Sequence, residues 1–116
     1  MTDKILVLSN CGSADEAHEV ARTLVEARLA ACVNIVDGVR SIYHWQGEIE
    51  ESPEWTLLIK TRRALFEQLC TELRRIHSYQ VPEVLAIPIV DGQSEYLSWI
   101  DRETQTGDHL AHLGEA

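Results

Sequence analysis

Residues 32–60 read CVNIVDGVRSIYHWQGEIEESPEWTLLIK and hold two segments that favour strands. β-Branched and aromatic residues are frequent in Cys32–Trp45 and again in Trp55–Lys60, as is usual for strands. Gln46-Gly47 lies between the two segments and is typical of a turn, so we predict that they pair as an antiparallel hairpin. Asp37-Gly38 lies inside the first segment, where either a second tight turn or a bulge in one long strand would accommodate it.

Further elements are predicted on both sides of this hairpin. Ser13 and Glu16 have the spacing of a capping box, and Thr61 is a candidate N-cap for a second helix. The predicted elements are a strand at residues 5–10, a helix from 13 to about 30, a helix from 61 to near 79, a strand at 84–89 and a short helix at 94–100. Together with the hairpin they give the order β-α-β-β-α-β of a ferredoxin-like α+β fold. We assign residues 1–102 to this domain and the polar residues 103–116 to a flexible tail.

The predicted topology leaves one face of the sheet without helices. Right-handed crossovers place both long helices on the same face. Tyr43, Trp45, Trp55 and Leu57 lie on the hairpin and are expected to supply an apolar surface on the other face. An exposed apolar face on so small a domain predicts self-association.

Charge and hydropathy restrict the class of partner. The 116-residue chain carries 10 Lys and Arg against 19 Asp and Glu, a formal net charge of −9. Binding to nucleic acid requires clustered basic residues, so we predict no nucleic-acid partner. No apolar segment approaches the roughly 20 residues of a transmembrane helix, so we also predict no membrane span.

The chain has three cysteines, Cys11, Cys32 and Cys70, whose wide spacing matches neither zinc fingers nor thioredoxin-like motifs. Cys32 and Cys70 lie in apolar contexts and are predicted to belong to the core. Cys11 ends the first predicted strand just before a helix N-terminus, where the local field is expected to lower the pKa of its thiol and so favour metal binding. The alternative interpretation of Cys11 is a small buried residue at a turn.

Four separate stretches resemble the CutA family of divalent-cation tolerance proteins. Residues 24–35, LVEARLAACVNI, are similar to the family's first-helix signature, and residues 41–49, SIYHWQGEI, to its central hairpin. Residues 77–83, HSYQVPE, resemble the family segment H-P-Y-x-x-P-E, and residues 96–100, YLSWI, resemble its closing helix. The stretches follow one another in the family's order between residues 5 and 101.

The resemblance implies a ferredoxin-like subunit in a homotrimer whose strands pair across the subunit boundaries, with Tyr43 and Trp45 at the interface. It also implies a cytoplasmic location and a link to copper tolerance. Copper, or another divalent cation, would be bound by a family cysteine and histidine that match Cys11 and His77.

The matching segment departs from the family pattern at two positions. Ser78 replaces the proline, and Ile76 stands where some members carry a second histidine, which removes one candidate ligand. His77 itself has an alternative interpretation, as a residue that interacts with the last carbonyl groups of a helix.

Two other functions are alternatives to metal binding. The CutA trimer resembles that of the PII signalling proteins, which implies a small molecule in the clefts between subunits, with Lys60, Arg62 and Tyr79 as candidate lining. An enzyme with Cys11 and His77 as nucleophile and base would need a third, orienting residue, and the sequence offers no such signal. We therefore predict a binding protein and not an enzyme.

The predicted tail contains one further pattern. A helix would place three potential metal ligands on one face, namely His109, His112 and Glu115. A helix this short is marginal in water, so a solvated tail is the prediction.

Overall fold

The structure, a computed structural model, describes residues 1–105. These residues form β1 (Lys4–Cys11), α1 (Ala14–Glu26), β2 (Cys32–Trp45), β3 (Glu48–Arg62), a 3₁₀ turn (Arg63–Leu65), α2 (Phe66–Ile76), β4 (Leu85–Pro88) and α3 (Ser94–Glu103). The strands pair antiparallel in the order β2-β3-β1-β4, so the predicted ferredoxin-like α+β fold is confirmed. Within residues 1–105 no helix is long and apolar enough to cross a membrane.

Strands β2 and β3 form one long hairpin. The pairing register shifts across Asp37-Gly38, where Gly38 has a φ of 74°, so this dipeptide is a bulge and not a second turn. Both residues of Gln46-Gly47 have positive φ, as a two-residue hairpin turn of type I′ requires. Because only Trp55–Arg62 of β3 pair with β1, residues 39–54 extend beyond β1 as a two-stranded ribbon.

The hydrophobic core lies between the sheet and helices α1 and α2. Alternate residues of β1 and β3 point into it, and each helix contributes one apolar face. Leu57 is fully buried there, and Trp55, on the same side of β3, packs against the core. The prediction that Trp55 and Leu57 supply a surface on the opposite face is therefore wrong, since both side chains face the helices.

That opposite face is partly covered by α3. Ile100 of α3 is buried. The Nζ atom of Lys4 lies 3.1 Å from Oδ1 of Asp101, and the Nζ atom of Lys60 lies 5.8 Å from the ring centroid of Tyr96. Lys4 and Lys60 alternate with the core residues of their strands, so these contacts place α3 on the side opposite to α1 and α2. The expectation of a sheet face without helices is corrected accordingly.

The first residues assigned to the tail lie against the domain. Glu103 closes α3, Thr104 is buried, and the backbone N–H of Gln105 donates to the carbonyl oxygen of Arg28 over 2.8 Å. The remaining tail is outside the described residues, together with its candidate ligands His109, His112 and Glu115.

The two long helices differ from the predictions at three boundaries. Helix α1 ends at Glu26 and not near residue 30, because Arg28 adopts a left-handed φ of 58°. Thr61 does not cap the second helix: it belongs to β3, and its buried hydroxyl donates to the carbonyl oxygen of Leu29 over 2.7 Å. Helix α2 spans Phe66–Ile76, so it ends before the expected position near residue 79.

Candidate metal centre

Cys11 is the last residue of β1, and its side chain points into the core. It pairs with Trp55 on β3 and has an exposed fraction of 0%. Two residues later Ser13 caps α1, since its Oγ atom accepts a hydrogen bond from the N–H of Glu16 over 3.1 Å. Cys11 therefore lies between the end of a strand and the start of a helix, as expected.

His77 caps the end of α2 and is brought next to Cys11. Its Nε2 atom lies 3.7 Å from Sγ of Cys11 and 2.7 Å from the carbonyl oxygen of Asn10. Its Nδ1 atom accepts a hydrogen bond from the N–H of Tyr79 over 3.0 Å. Because Nδ1 is an acceptor, the hydrogen belongs on Nε2, which donates to Asn10. His77 is thus a buried, hydrogen-bonded imidazole as well as a candidate ligand.

Glu16 completes a group of three potential ligands. An Oε2 atom of this residue accepts a hydrogen bond from the N–H of Ser78 over 2.8 Å, which ties α1 to the segment after α2. The ligand atoms of Cys11, Glu16 and His77 all lie within 4.8 Å of one another. In the sequence, Glu16 carries only the signal of a capping-box residue, because nothing local indicates that α1 directs it towards the end of α2.

The electrostatics of the group differ from the expectation for Cys11. Burial, together with the charges of Glu16 and Glu54, raises the pKa of the Cys11 thiol from 9.0 to about 12. Burial alone would raise the pKa of Glu16, but its hydrogen bonds with Ser78, the nearby His77 and a backbone hydrogen bond with Gly12 together hold that pKa below its ordinary value. The expected lowering of the thiol pKa is wrong, because desolvation and two carboxylates outweigh the field of the helix N-terminus.

The donor set nevertheless fits a soft or borderline divalent cation. Thiolate and imidazole are good ligands for copper and zinc, and copper leads the affinity order. The carboxylates that disfavour a thiolate, those of Glu16 and Glu54, favour a cation at the same position because they make the local potential negative. A cation would have to displace the thiol proton and the hydrogen bond from His77 to Asn10, which limits the affinity.

Cys11 should be the least reactive of the three thiols in the metal-free protein. With a pKa of about 12 its thiolate fraction at pH 8 is on the order of 1,000-fold below that of an ordinary cysteine. Reaction of the native protein with Ellman's reagent measures this directly. We expect the wild type and Cys11→Ser to have the same number of thiols that react rapidly with the reagent. Loss of a fast thiol in Cys11→Ser would contradict the burial described above.

Of the other cysteines and the candidate cleft residues, all of which the structure describes, only Tyr79 lies close to Cys11 and His77. Cys32 and Cys70 are only partly buried, so the prediction that they belong to the core is corrected. Tyr79 lies beside His77, with ring centroids 4.7 Å apart. Lys60 and Arg62 lie towards the opposite end of β1, because their strand partners are its first residues. Within one chain these two basic residues therefore do not line a site with Tyr79.

Comparisons of the sequence and of the structure with known proteins all identify CutA proteins as similar to this chain. Residues 5–103 match the family described as CutA1 divalent ion tolerance protein. The divalent-cation tolerance protein CutA of Thermus thermophilus is 48% identical over 99 residues, which cover 85% of this chain and 96% of the relative. The crystal structure of CutA from Xylella fastidiosa has a TM-score of 0.88 and 40% identity, and the match covers 90% of this chain and 100% of that one.

A plant relative differs in length. The protein CutA, chloroplastic, of Arabidopsis thaliana is 40% identical over 101 residues, which cover 87% of this chain and 56% of the relative. Its name places that relative in a chloroplast. The resemblance of the four sequence stretches to CutA proteins is confirmed by these matches. The chain belongs to the CutA1 divalent ion tolerance family.

Proposed function

We propose that this chain is a cytoplasmic, homotrimeric metal-binding protein that contributes to divalent-cation tolerance by binding copper through Cys11, Glu16 and His77. The observation that carries the proposal is the approach of a thiol, a carboxylate and an imidazole to within 4.8 Å of one another. Zinc and similar cations would compete for the same donors. Free cysteines fit a reducing compartment, and the proposed role is binding and not catalysis.

The proposed centre leaves a coordination position free for a further ligand, and folding is not expected to require the metal. Three side chains leave a coordination position for water, the backbone or another subunit. Ile76 ends α2 where a second histidine would have added a ligand. Apolar side chains of the sheet and the helices form the hydrophobic core, so we expect the domain to fold in the absence of metal. The affinity should be modest, because few side-chain ligands are available.

Native mass spectrometry of the anaerobic protein equilibrated with Cu(II) tests assembly and binding together. The expected species has three times the 13.1 kDa subunit mass and carries one copper ion per chain. A trimer without copper would contradict the metal proposal alone. A copper-loaded monomer would contradict the trimer alone.

The trimer is proposed to form through the ribbon of residues 39–54. Tyr43 and Trp45 lie on this ribbon with exposed fractions of 41% and 60%, and Ile42 and Ile49 are exposed as well. Exposed apolar side chains grouped in this way are typical of interfaces. The sheet also ends in two edge strands, β2 and β4, which can pair with other chains.

Separate replacement of Trp45, on the ribbon, and of Trp55, next to the core, should distinguish effects on assembly from effects on folding. Trp45→Ala should shift the trimer towards smaller species with little change in subunit folding, because Trp45 is largely exposed in one chain. Trp55→Ala should lower the free energy of unfolding by about 1–3 kcal/mol, since Trp55 packs against the core but is only partly buried. Sedimentation velocity and urea unfolding measure the two effects. Equal loss of assembly in both variants would contradict the interface at Trp45.

A second candidate function is that of a PII-like trimer that binds a small molecule in the clefts between subunits. An open groove of about 960 Å³ beside the ribbon favours it, and Tyr79 is among the lining residues. Lys60 and Arg62, proposed earlier as lining, instead contact Tyr96 and Thr104 in or next to α3. Any contribution from these two residues would have to come from a different subunit.

A further inference from the structure

Both ring nitrogens of His77 are engaged in hydrogen bonds with backbone groups. The N–H of Tyr79 donates to Nδ1 over 3.0 Å, and Nε2 donates to the carbonyl oxygen of Asn10 over 2.7 Å. A backbone N–H can only donate and a carbonyl oxygen can only accept, so the ring is neutral and carries its hydrogen on Nε2. Neither nitrogen therefore offers a free lone pair to a cation in this conformation.

A cation at the proposed centre conflicts with the hydrogen bond from Tyr79. If the cation binds Nε2, beside Sγ of Cys11, the ring hydrogen must move to Nδ1, where it would face the N–H of Tyr79. A metal-bound histidine normally donates its other ring N–H to an oxygen atom, not to a second donor. If the cation binds Nδ1, it takes the lone pair that the same N–H uses. With either nitrogen as the ligand, the N–H of Tyr79 has to leave the ring.

Tyr79 belongs to an irregular segment, residues 78–83, hereafter the strap. Among the described residues, those from 77 to 84 connect α2 to β4 without forming a helix or a strand. Consecutive N–H groups of the strap hold two of the three candidate ligands, because Ser78 donates to Oε2 of Glu16 and Tyr79 donates to Nδ1 of His77. Val81, in the middle of the strap, has an exposed fraction of 88%, so few buried contacts oppose movement there.

The side chain of Tyr79 connects the strap to β3. Its ring lies 4.7 Å from the ring of His77 between centroids, and its hydroxyl donates to Oε2 of Glu54 over 2.8 Å. A Cβ atom at Gly12 would lie 2.9 Å from the same hydroxyl oxygen, so the absence of a side chain there lets the ring pack so closely. The hydroxyl is at the far end of a rigid ring, so it moves when the backbone of Tyr79 moves. All of these contacts are made within one chain, and none of them requires a free surface.

We propose that the strap blocks the centre of Cys11, Glu16 and His77 and that cation binding releases it, so that the N–H of Tyr79 leaves Nδ1 and its hydroxyl leaves Glu54. The proposal rests on the proposed metal-binding function and describes the regulation of that site. The free and the loaded protein then differ in the position of Tyr79 next to β3. Because coupling between two equilibria is reciprocal, any contact that holds Tyr79 on Glu54 also lowers the affinity for the cation.

Nuclear magnetic resonance can observe the hydrogen bond between Tyr79 and His77 directly. A scalar coupling between the two nitrogen nuclei passes through an N–H···N bond and can be measured on the full-length, isotopically labelled protein. We expect this coupling in the chelator-treated wild type and its loss when the protein is saturated with Zn(II), which is diamagnetic. Isothermal titration of the same protein establishes whether Zn(II) binds.

Tyr79→Phe should raise the affinity for Zn(II) by about tenfold. The free protein loses the charge-assisted hydrogen bond with Glu54 that opposes release of the strap, whereas the loaded protein has no such bond to lose. Tyr96→Phe is the matched control, because Tyr96 lies on α3 on the other side of the sheet. The same loss of a hydroxyl group should leave the affinity unchanged there.

Three results would overturn the strap proposal alone. They are absence of the coupling from the chelator-treated wild type, its retention in the Zn(II)-loaded wild type, and equal affinities of Tyr79→Phe and Tyr96→Phe for Zn(II). Retention would mean that His77 binds as an imidazolate or not at all. Absence of Zn(II) binding by the wild type would contradict the metal-binding function itself, and the strap proposal with it. The coupling is measured on the wild type, so it decides the matter even if Tyr79→Phe fails to fold.

Discussion

Cys11→Ser is expected to lower the affinity for copper by about 100-fold or more. Sulfur is the soft donor of the group, and a serine hydroxyl does not ionise to replace a thiolate near neutral pH. Even an outer partner of a metal ligand is worth about 10–100-fold in affinity, so a direct ligand should be worth at least the upper part of that range. Competition against a chelator of known affinity, with anaerobic protein, gives the ratio of the two dissociation constants.

The other two cysteines provide matched controls for this substitution. Cys32→Ser and Cys70→Ser should bind copper as the wild type does, because neither residue belongs to the group of converging ligand atoms. Glu16→Gln should have an intermediate effect, since an amide oxygen is a weaker ligand than a carboxylate and the local negative charge is reduced. If Cys32→Ser lost as much affinity as Cys11→Ser, copper would be bound elsewhere.

Leu57→Ala is expected to lower the free energy of unfolding by about 2–5 kcal/mol, the usual range for a large-to-small change in a core. Leu57 is fully buried between the sheet and the helices, so the substitution leaves a cavity that the strands cannot close without moving. Urea unfolding monitored by circular dichroism, at a fixed protein concentration, measures the change. Concentration must be held constant because self-association contributes to stability.

Val25→Ala is the control for Leu57→Ala. Val25 lies on α1 with 40% of its surface exposed, so its truncation should cost less than about 1 kcal/mol. Equal losses of unfolding free energy in the two variants would mean that Leu57 lies on the face opposite to the helices, as expected from the sequence pattern alone.

The assignment of Leu57 shows where sequence patterns stop being informative. Leu57, Leu58 and Ile59 are all apolar, so alternation does not reveal which side of β3 faces the core. The pairing of β3 with β1 decides it, because that pairing places Leu57 on the same side as Ile5 and Val7. The order of elements was predictable because hydrophobic periodicity and turn residues are local signals.

The candidate site was predictable only in part. Cys11 and His77 were found through resemblance to the CutA family, and the fold brings their ligand atoms to 3.7 Å. Glu16 was missed as a partner because its proximity to His77 depends on how α1 packs against α2. The pKa of Cys11 was predicted in the wrong direction, since the field of a helix end is visible in sequence whereas burial and the position of Glu54 are not.

X-ray absorption spectroscopy at the copper edge tests the proposed centre most directly. The copper-loaded wild type should show one sulfur atom in the first coordination shell, together with nitrogen or oxygen ligands and the outer-shell scattering typical of imidazole. In Cys11→Ser, loaded at a concentration high enough to occupy the weakened site, the sulfur contribution should be absent. A wild-type spectrum with only nitrogen and oxygen in the first shell would contradict copper binding through Cys11.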